Sequence, residues 1–166
     1  ERGDWSVPFD ADELWCMSNG MTLGSGLREL VDDAASGKSW VHVPQVSDVK
    51  EDCPFSSMPW RVKTPEAWPK AAFRWKLAAD SIEQGNHWMR RPLRDAIDIR
   101  HFQYRSYDHL VTKVRAGAAA LELADLPADS GAHWRQFAAM SDTELRNWWG
   151  IYVQQDLEWD PPWCLA

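Results

Sequence analysis

The stretch SDTELRNWWGIYV at residues 141–153 carries the strongest structural signal in this chain of 166 residues. Ser141 is followed three residues later by Glu144, the spacing of a capping box, in which each side chain satisfies a free backbone N–H of the other residue. Trp148 and Tyr152 then recur at helical spacing and belong to a wide aromatic stripe. The stretch therefore predicts a helix that packs through an aromatic face.

Other stretches carry weaker helical signals, mostly an apolar periodicity with a capping residue or a proline near its start. They are residues 25–36, 64–85, 91–117, 118–126 and a short stretch that starts at 129. The segment 40–43 alone reads as a short strand. The sequence thus predicts a mainly α fold: an irregular domain of about four to five helices, with long extended N- and C-terminal arms and little or no sheet.

Prolines and turn residues divide the chain into three parts. Residues 1–24 show little periodicity, so we expect an extended N-terminal arm. The helical domain follows at 25–157 and contains a Pro-rich loop at 38–65. Two adjacent prolines prevent a helix in the last part, so residues 158–166 are expected to form an extended C-terminal tail.

Tryptophan is unusually frequent, with 12 residues spread from Trp5 to Trp163. Its ring is large and rigid and carries one N–H donor, so it can fill a core, anchor an interface, or stack on a sugar or a base. So many aromatic side chains argue against disorder over the whole chain, and no apolar run is long enough for a transmembrane segment. We expect a soluble or peripheral protein that makes extensive aromatic contacts.

The net charge of −7 is unevenly distributed along the chain. Residues 1–60 have a balance of −7, residues 61–117 of +6 and residues 118–166 of −6. The acidic ends could cover the basic middle, or the middle could face an acidic partner or lipid headgroups. Basic and aromatic residues alternate in that middle segment, as in nucleic-acid binders, but the acidic net charge argues against nucleic acid as a partner.

No motif for catalysis, a cofactor or a metal is present. Asp98 and His101 would share a face if they lay on a helix, but a metal site of the bundle type needs a second such pair. The acidic residues Asp10, Asp12 and Glu13 could perform acid–base work only if a cleft held them, and we interpret them as solvated. We therefore predict no catalytic residues, no metal and no cofactor, in a protein that is not an enzyme.

The cysteines and the first residue bear on the cellular compartment. Cys16, Cys53 and Cys164 are odd in number and widely spaced, which favours reduced thiols over one disulfide with a free thiol. The chain starts with Glu1 and not with Met. We derive from this the expectation of a processed protein of an organelle, the mitochondrion or the plastid.

These features favour a non-catalytic accessory or structural subunit of a large multi-subunit assembly, of the respiratory, photosynthetic or ribosomal kind. It would bind other protein subunits through Trp-anchored interfaces. The alternative is a small ligand-binding or enzymatic helical domain with a Trp-lined pocket. The side chains expected at the interface are Trp5, Phe9, Trp148, Trp149, Tyr152, Trp159, Trp163, Arg90, Arg91 and Arg94.

Overall fold

The structure, a computed structural model, describes residues 4–45, 57–75, 86–87, 89, 93–124, 126–127 and 129–160. The strands within them are β1 (Trp5–Ser6), β2 (Glu13–Met17), β3 (Ala34–Val41), β4 (Trp60–Val62), β5 (Lys70–Arg74), β6 (Arg94–His101) and β7 (Leu157–Trp159). The helices within them are α1 (Leu23–Glu29), α2 (Tyr107–Leu123), α3 (Ala132–Ala139) and α4 (Asp142–Tyr152).

The predicted mainly α fold, and with it the description of the protein as α-helical, is wrong. Five strands form a curled, mixed sheet that resembles half of a barrel, in the order β1-β5-β3-β6-β2, and β4 pairs with β7 in a second sheet. The regions expected to be arms contribute to these sheets, since β1 and β2 precede residue 25 and β7 begins at Leu157. The fold is therefore α/β.

The five-stranded sheet is assembled around β3. This strand runs antiparallel to β5 and parallel to β6, with Ala35 opposite Arg94 at one end and Val41 opposite His101 at the other. The register shifts between Ser36 and Gly37. β1 then extends the sheet beyond β5, and β2 extends it beyond β6.

Parts of two predicted helices, 64–85 and 91–117, are strands because their local pattern is ambiguous, whereas residues 107–117 of the second lie in α2 as predicted. Lys70–Arg74 has the sequence KAAFR, which favours a helix by propensity, yet it pairs with β3 as β5. In β6, Ile97 and Ile99 alternate with Asp98, which is the period of a strand. Sheet pairing with residues far along the chain decides both segments. Residues 76–85 of the predicted helix lie outside the described residues.

The helix predicted at 25–36 is shorter than expected. It spans Leu23–Glu29 and begins after Thr22, whose side chain accepts a hydrogen bond from the backbone N–H of Ser25. A turn precedes it, with Gly20 at a φ of 82°. The chain then enters β3, so Ala34 belongs to a strand and not to the end of this helix.

Contacts divide the chain into two compact units, one of 1–42 with 62–103 and one of 43–61 with 104–166. The predicted division into arm, helical domain and tail stays a prediction. In the first unit, one face of the five-stranded sheet packs on α1. This core consists of Trp15, Met17, Leu27, Leu30, Ala35, Ala72, Ile97 and Ile99, and a smaller core on the opposite face consists of Ala34, Ala71, Phe73 and Met89.

The second unit contains the helix predicted with most support. α4 begins after Ser141, and the capping box between Ser141 and Glu144 is present, so this prediction is confirmed. Leu145 and Tyr152 are its buried residues. Gly117, expected to interrupt a helix, lies inside α2. A Cβ there would lie 3.0 Å from the Trp134 ring, so the glycine permits close approach of α3.

Within the part of the chain that the structure describes, no helix combines the length and the apolar character required to cross a bilayer.

Two glycines of α1 provide a matched test of this packing. A Cβ at Gly26 would lie 2.2 Å from Cγ of the buried Met17, whereas a Cβ at Gly24 would meet no atom within 4 Å. We expect Gly26→Ala to lower the free energy of unfolding by about 1–3 kcal/mol through overpacking. Gly24→Ala should raise it by about 0.5–1 kcal/mol, because alanine loses less backbone entropy in a helix. Urea denaturation measures both, and equal effects of the two substitutions would contradict this description of α1.

Candidate functional site

Polar side chains converge where the two parallel strands of the five-stranded sheet end. β3 and β6 end with Val41 and His101 paired, and Ser39 lies opposite Ile99 on the same face of the sheet as His101. Ligands of open α/β sheets bind near the carboxyl ends of the strands. This end of the sheet is therefore a candidate binding site.

Lys70 forms the buried half of the cluster. It is the first residue of β5, and its Nζ lies 2.7 Å from Oδ2 of Asp10 and 3.0 Å from Oε1 of Glu13. Glu13 is itself held in place by a hydrogen bond of 2.9 Å from the Trp15 indole N–H. Burial opposes the charge of Lys70, but the hydrogen bonds to Asp10 and Glu13 outweigh it and raise the Lys70 pKa.

His101 forms the second half, between two carboxylates. Its Nδ1 lies 3.1 Å from Oε2 of Glu66, and its Nε2 lies 3.6 Å from Oδ2 of Asp12. Burial alone would lower the pKa of this imidazole, since only 12% of the side chain is exposed. Hydrogen bonds and charge attraction from Asp12 and Glu66 prevail and raise the His101 pKa to about 9. The ring is therefore an imidazolium at neutral pH.

Glu66 links the sheet to the segment between β4 and β5. Its backbone N–H donates to the Ser39 carbonyl over 2.8 Å, and its carboxylate accepts a hydrogen bond from the Ser39 hydroxyl. Burial raises the pKa of Glu66. The hydrogen bonds from His101 and Ser39, together with the charges of His101 and Lys70, lower it by more, so the net shift of the pKa is downward. The segment Thr64-Pro65-Glu66, predicted to start a helix, instead delivers a carboxylate to the site.

We name the whole cluster the ion network: Asp10, Asp12, Glu13, Ser39, Glu66, Lys70 and His101. Among these seven described residues, four carboxylates and two cations give a summed charge of −2. Its acidic rim consists of the carboxylates that reach solvent, with side-chain exposures of 64% for Asp10, 36% for Glu66 and 20% for Asp12. The network thus presents negative charge outward and keeps its cations beneath.

Two features fix and surround this rim. The buried Asn86 donates hydrogen bonds of 3.0 Å to the Pro8 carbonyl and 2.9 Å to the Ala71 carbonyl, so it ties the segment before Asp10 to β5. Asn86 has a φ of 62°, a conformation that asparagine tolerates better than most residues. Phe9 precedes Asp10 in the chain and Trp68 lies two positions after Glu66, and their side chains are 66% and 71% exposed. Two large exposed rings are therefore close in sequence to rim residues.

The described residues contain no group of three or more His, Cys, Asp or Glu side chains arranged to hold a metal ion. In the ion network, each ring nitrogen of His101 is directed at a carboxylate. A cavity of about 260 Å³ lies elsewhere in the same unit, beside α1. Its lining residues are Met17, Asn19, Met21, Gly26, Glu29, Leu30, Val31 and Arg94, and none of them belongs to the ion network.

The predicted interface residues of the first unit occupy different surroundings. Trp5 lies in β1, partly buried against the core, with the Arg74 guanidinium 4.9 Å from its ring centroid. Phe9 is exposed and directly precedes the rim residue Asp10 in the chain. Arg94 lies at the start of β6 and pairs with Asp32 over 3.2 Å. Arg90 and Arg91, like Trp163, lie outside the described residues.

The predicted interface residues of α4 form an aromatic cluster within the second unit. Trp148 stacks on Tyr152 with ring centroids 5.0 Å apart and meets the Phe137 ring edge-to-face at 4.8 Å. Trp149 also stacks on Tyr152, with ring centroids 5.5 Å apart, and Tyr104 meets Tyr152 edge-to-face at 5.5 Å. Much of this stripe therefore packs on the chain itself, although Trp148 and Trp149 keep partial exposure.

Of the predicted interface tryptophans that the structure describes, Trp159 is the most exposed. It lies in β7, 55% exposed, and meets Trp60 of β4 edge-to-face with ring centroids 5.2 Å apart. Arg61 and Glu158 pair beside them over 2.6 Å. Trp60 was not among the predicted residues, and only its partner in the pair was found from the sequence.

Most of the ion network escaped sequence reasoning. Asp10, Asp12 and Glu13 were considered as paired carboxylates and interpreted as solvated, whereas Glu13 is buried against Lys70. His101 was grouped with Asp98, but successive strand residues alternate between faces, so three positions on β6 place the two side chains on opposite faces. The acidic run was the one sequence signal that could have located the site.

Comparison of the chain with known protein families, with curated proteins and with solved structures finds no match in any of the three.

The bridging role of His101 makes stability depend on pH. Its pKa is about 9 in the folded protein and 6.5 in the unfolded chain. The stabilisation is therefore complete below pH 6.5 and is lost as pH rises through 9, a loss of about 3 kcal/mol in the free energy of unfolding. Urea denaturation at a series of pH values from 6 to 10 measures it.

The control separates His101 from other groups that titrate. His133 is mostly exposed, and its partial burial lowers its pKa below 6.5. His133→Gln should therefore leave the decline of the free energy of unfolding above pH 6.5 unchanged. His101→Gln should flatten it. A decline of the same size in His101→Gln would show that another group is responsible.

Proposed function

We propose that this chain is a ligand-binding protein domain and that the acidic rim of the ion network holds a cationic group of an organic ligand. The observation that carries the proposal is the excess of two negative charges in a network whose carboxylates reach solvent at Asp10 and Glu66. The sequence offered a ligand-binding or enzymatic helical domain with a Trp-lined pocket as its alternative, and the present proposal differs in both the site and the fold.

The geometry favours a ligand with N–H donors. The Asp10 carboxylate contacts Lys70 through Oδ2 and is otherwise largely exposed, so it retains acceptor capacity toward solvent. The inner oxygens are fixed by Lys70, Ser39 and His101, so the rim is positioned before any ligand arrives. Charge-assisted hydrogen bonds to such fixed carboxylates are stronger than those between neutral groups.

The aromatic neighbours support the same chemical class. Phe9 and Trp68 are exposed close to rim residues in the chain, and aromatic faces attract ammonium and guanidinium groups. The described residues offer no arrangement suited to a metal ion. An organic cation is therefore the ligand group that these side chains fit best.

The first test is binding of two cations that carry N–H donors and keep their charge near neutral pH, butylguanidinium and butylammonium, by isothermal titration calorimetry at low salt. We expect Asp10→Asn to weaken binding by roughly tenfold or more, because a hydrogen bond to a charged group contributes about 1.5–3 kcal/mol. The substitution conserves shape, and Lys70 keeps its contact with Glu13.

Glu122→Gln is the matched control, since it removes one exposed carboxylate in the other unit. It should leave the dissociation constants unchanged. Equal weakening by both substitutions would show that only the overall charge matters. Binding of Mg²⁺ but of neither organic cation would contradict the proposal.

A second function, contact with a protein partner, is favoured by the pair Trp60 and Trp159. Both rings are exposed, at 37% and 55%, although tryptophan contributes most binding energy when a partner covers it. The accessory or structural role expected from the sequence therefore stays a proposal, with this pair as its anchor. This proposal includes neither the α-helical fold nor the organellar location that the sequence analysis expected.

For this role we expect the protein purified gently from its source to sediment above the mass of one chain. Trp60→Ala combined with Trp159→Ala should shift it toward the single-chain mass and leave the melting temperature nearly unchanged, since both rings are exposed. Trp148→Ala is the contrast, because loss of a ring packed on Tyr152 and Phe137 should destabilise the fold by about 3 kcal/mol. A native protein that sediments as one chain would remove this second function.

A further inference from the structure

We infer that an organic cation bound at the acidic rim displaces the proton of His101, so that ligand binding and proton release are coupled. This inference rests on the proposed function, since it concerns the same carboxylates. It adds a regulatory property, a dependence of affinity on pH that comes from a group which need not touch the ligand.

The geometry places the imidazolium and the ligand in competition for the same two carboxylates. Asp12 and Glu66 are the counter-charges of His101, at 3.6 Å and 3.1 Å, and both are also part of the acidic rim. A cation that approaches these oxygens from solvent shares them with the imidazolium. Two positive charges then compete for one pair of carboxylates, and loss of the His101 proton removes one of them.

The groups around His101 determine whether ligand binding favours the protonated or the neutral imidazole. Glu13 lies opposite it on β2, and Lys70 lies on β5 with its ammonium bound to Glu13 and Asp10. Asp12 and Glu66 are thus the carboxylates that stabilise the imidazolium. Once a ligand occupies them, burial dominates, and burial favours the neutral ring.

The expected signature is a strong rise of affinity with pH. The protonated form prevails in the free protein up to a pKa of about 9. Release of one proton on binding makes the dissociation constant fall by about tenfold for each pH unit between about pH 7 and 9, and become constant above that range. Butylguanidinium is the probe, because a guanidinium keeps its charge over the whole range.

The experiment is calorimetric titration of the full chain with butylguanidinium at pH 6.5, 7.5 and 8.5, in buffers of different ionisation enthalpy. Release of close to one proton, with the tenfold change per pH unit, supports the coupling. Binding with a dissociation constant independent of pH and a heat independent of buffer overturns it and leaves the binding site intact. Absence of binding at every pH overturns the proposed function and the coupling together.

A variant and a spectroscopic measurement assign the proton to His101. His101→Gln removes the competing charge, so it should bind butylguanidinium more tightly than the native protein at pH 6.5 and without pH dependence. If this variant does not fold, the imidazole signals of the native protein decide by NMR. The His101 ring should be protonated at pH 7.5 in the free protein and neutral at saturation, and a ring that stays protonated contradicts the inference.

Discussion

The parallel pairing of β3 with β6 is the constraint on which the first unit depends. On one side β5 pairs with β3 and β1 extends the sheet beyond β5, and on the other side β2 pairs with β6. The pairing joins residues about sixty positions apart and needs Gly37, because a Cβ there would lie 2.6 Å from Cδ1 of Ile99. Its register also sets the chemistry, since it places Ser39 and His101 on one face at the same end of the sheet. A change in this register would therefore disrupt the core and the ion network together.

The ion network carries a large desolvation cost, because it places charged side chains at a mostly buried end of the sheet. Lys70 and His101 are both largely removed from solvent, and each needs two carboxylates to remain charged there. Buried ion pairs rarely stabilise a protein more than apolar side chains of similar size would, because desolvation offsets much of the attraction. Leucine or methionine in place of Lys70 and His101 would fill the same space equally well. The proposed binding role gives these charges a purpose that packing does not require, and this is the physical argument for placing the proposed site here.

What the sequence predicted correctly is local, and what it missed is not. The capping box at Ser141 and the helix after it follow from residues within a few positions of one another, so they could be predicted. The strands β3 and β5 consist mainly of alanine, glycine, serine, lysine and arginine, which carry little strand propensity, and distant partners hold them in the sheet. The site was missed for the same reason. Asp10, Glu66 and His101 are each ordinary in their local sequence, and only the register of the sheet brings them together.

The tryptophans show why an unusual composition is a weak guide to function. Trp15 and Trp40 donate their indole N–H groups to Glu13 and Asp98, so these rings support the sheet and its charged end. Trp134 packs against α2 and receives the ammonium of Lys113 at 5.7 Å from its ring. Such rings satisfy internal packing and hydrogen bonding and need no partner. Among the described tryptophans, those left to contact a partner are therefore the exposed rings of Trp60, Trp68, Trp75 and Trp159.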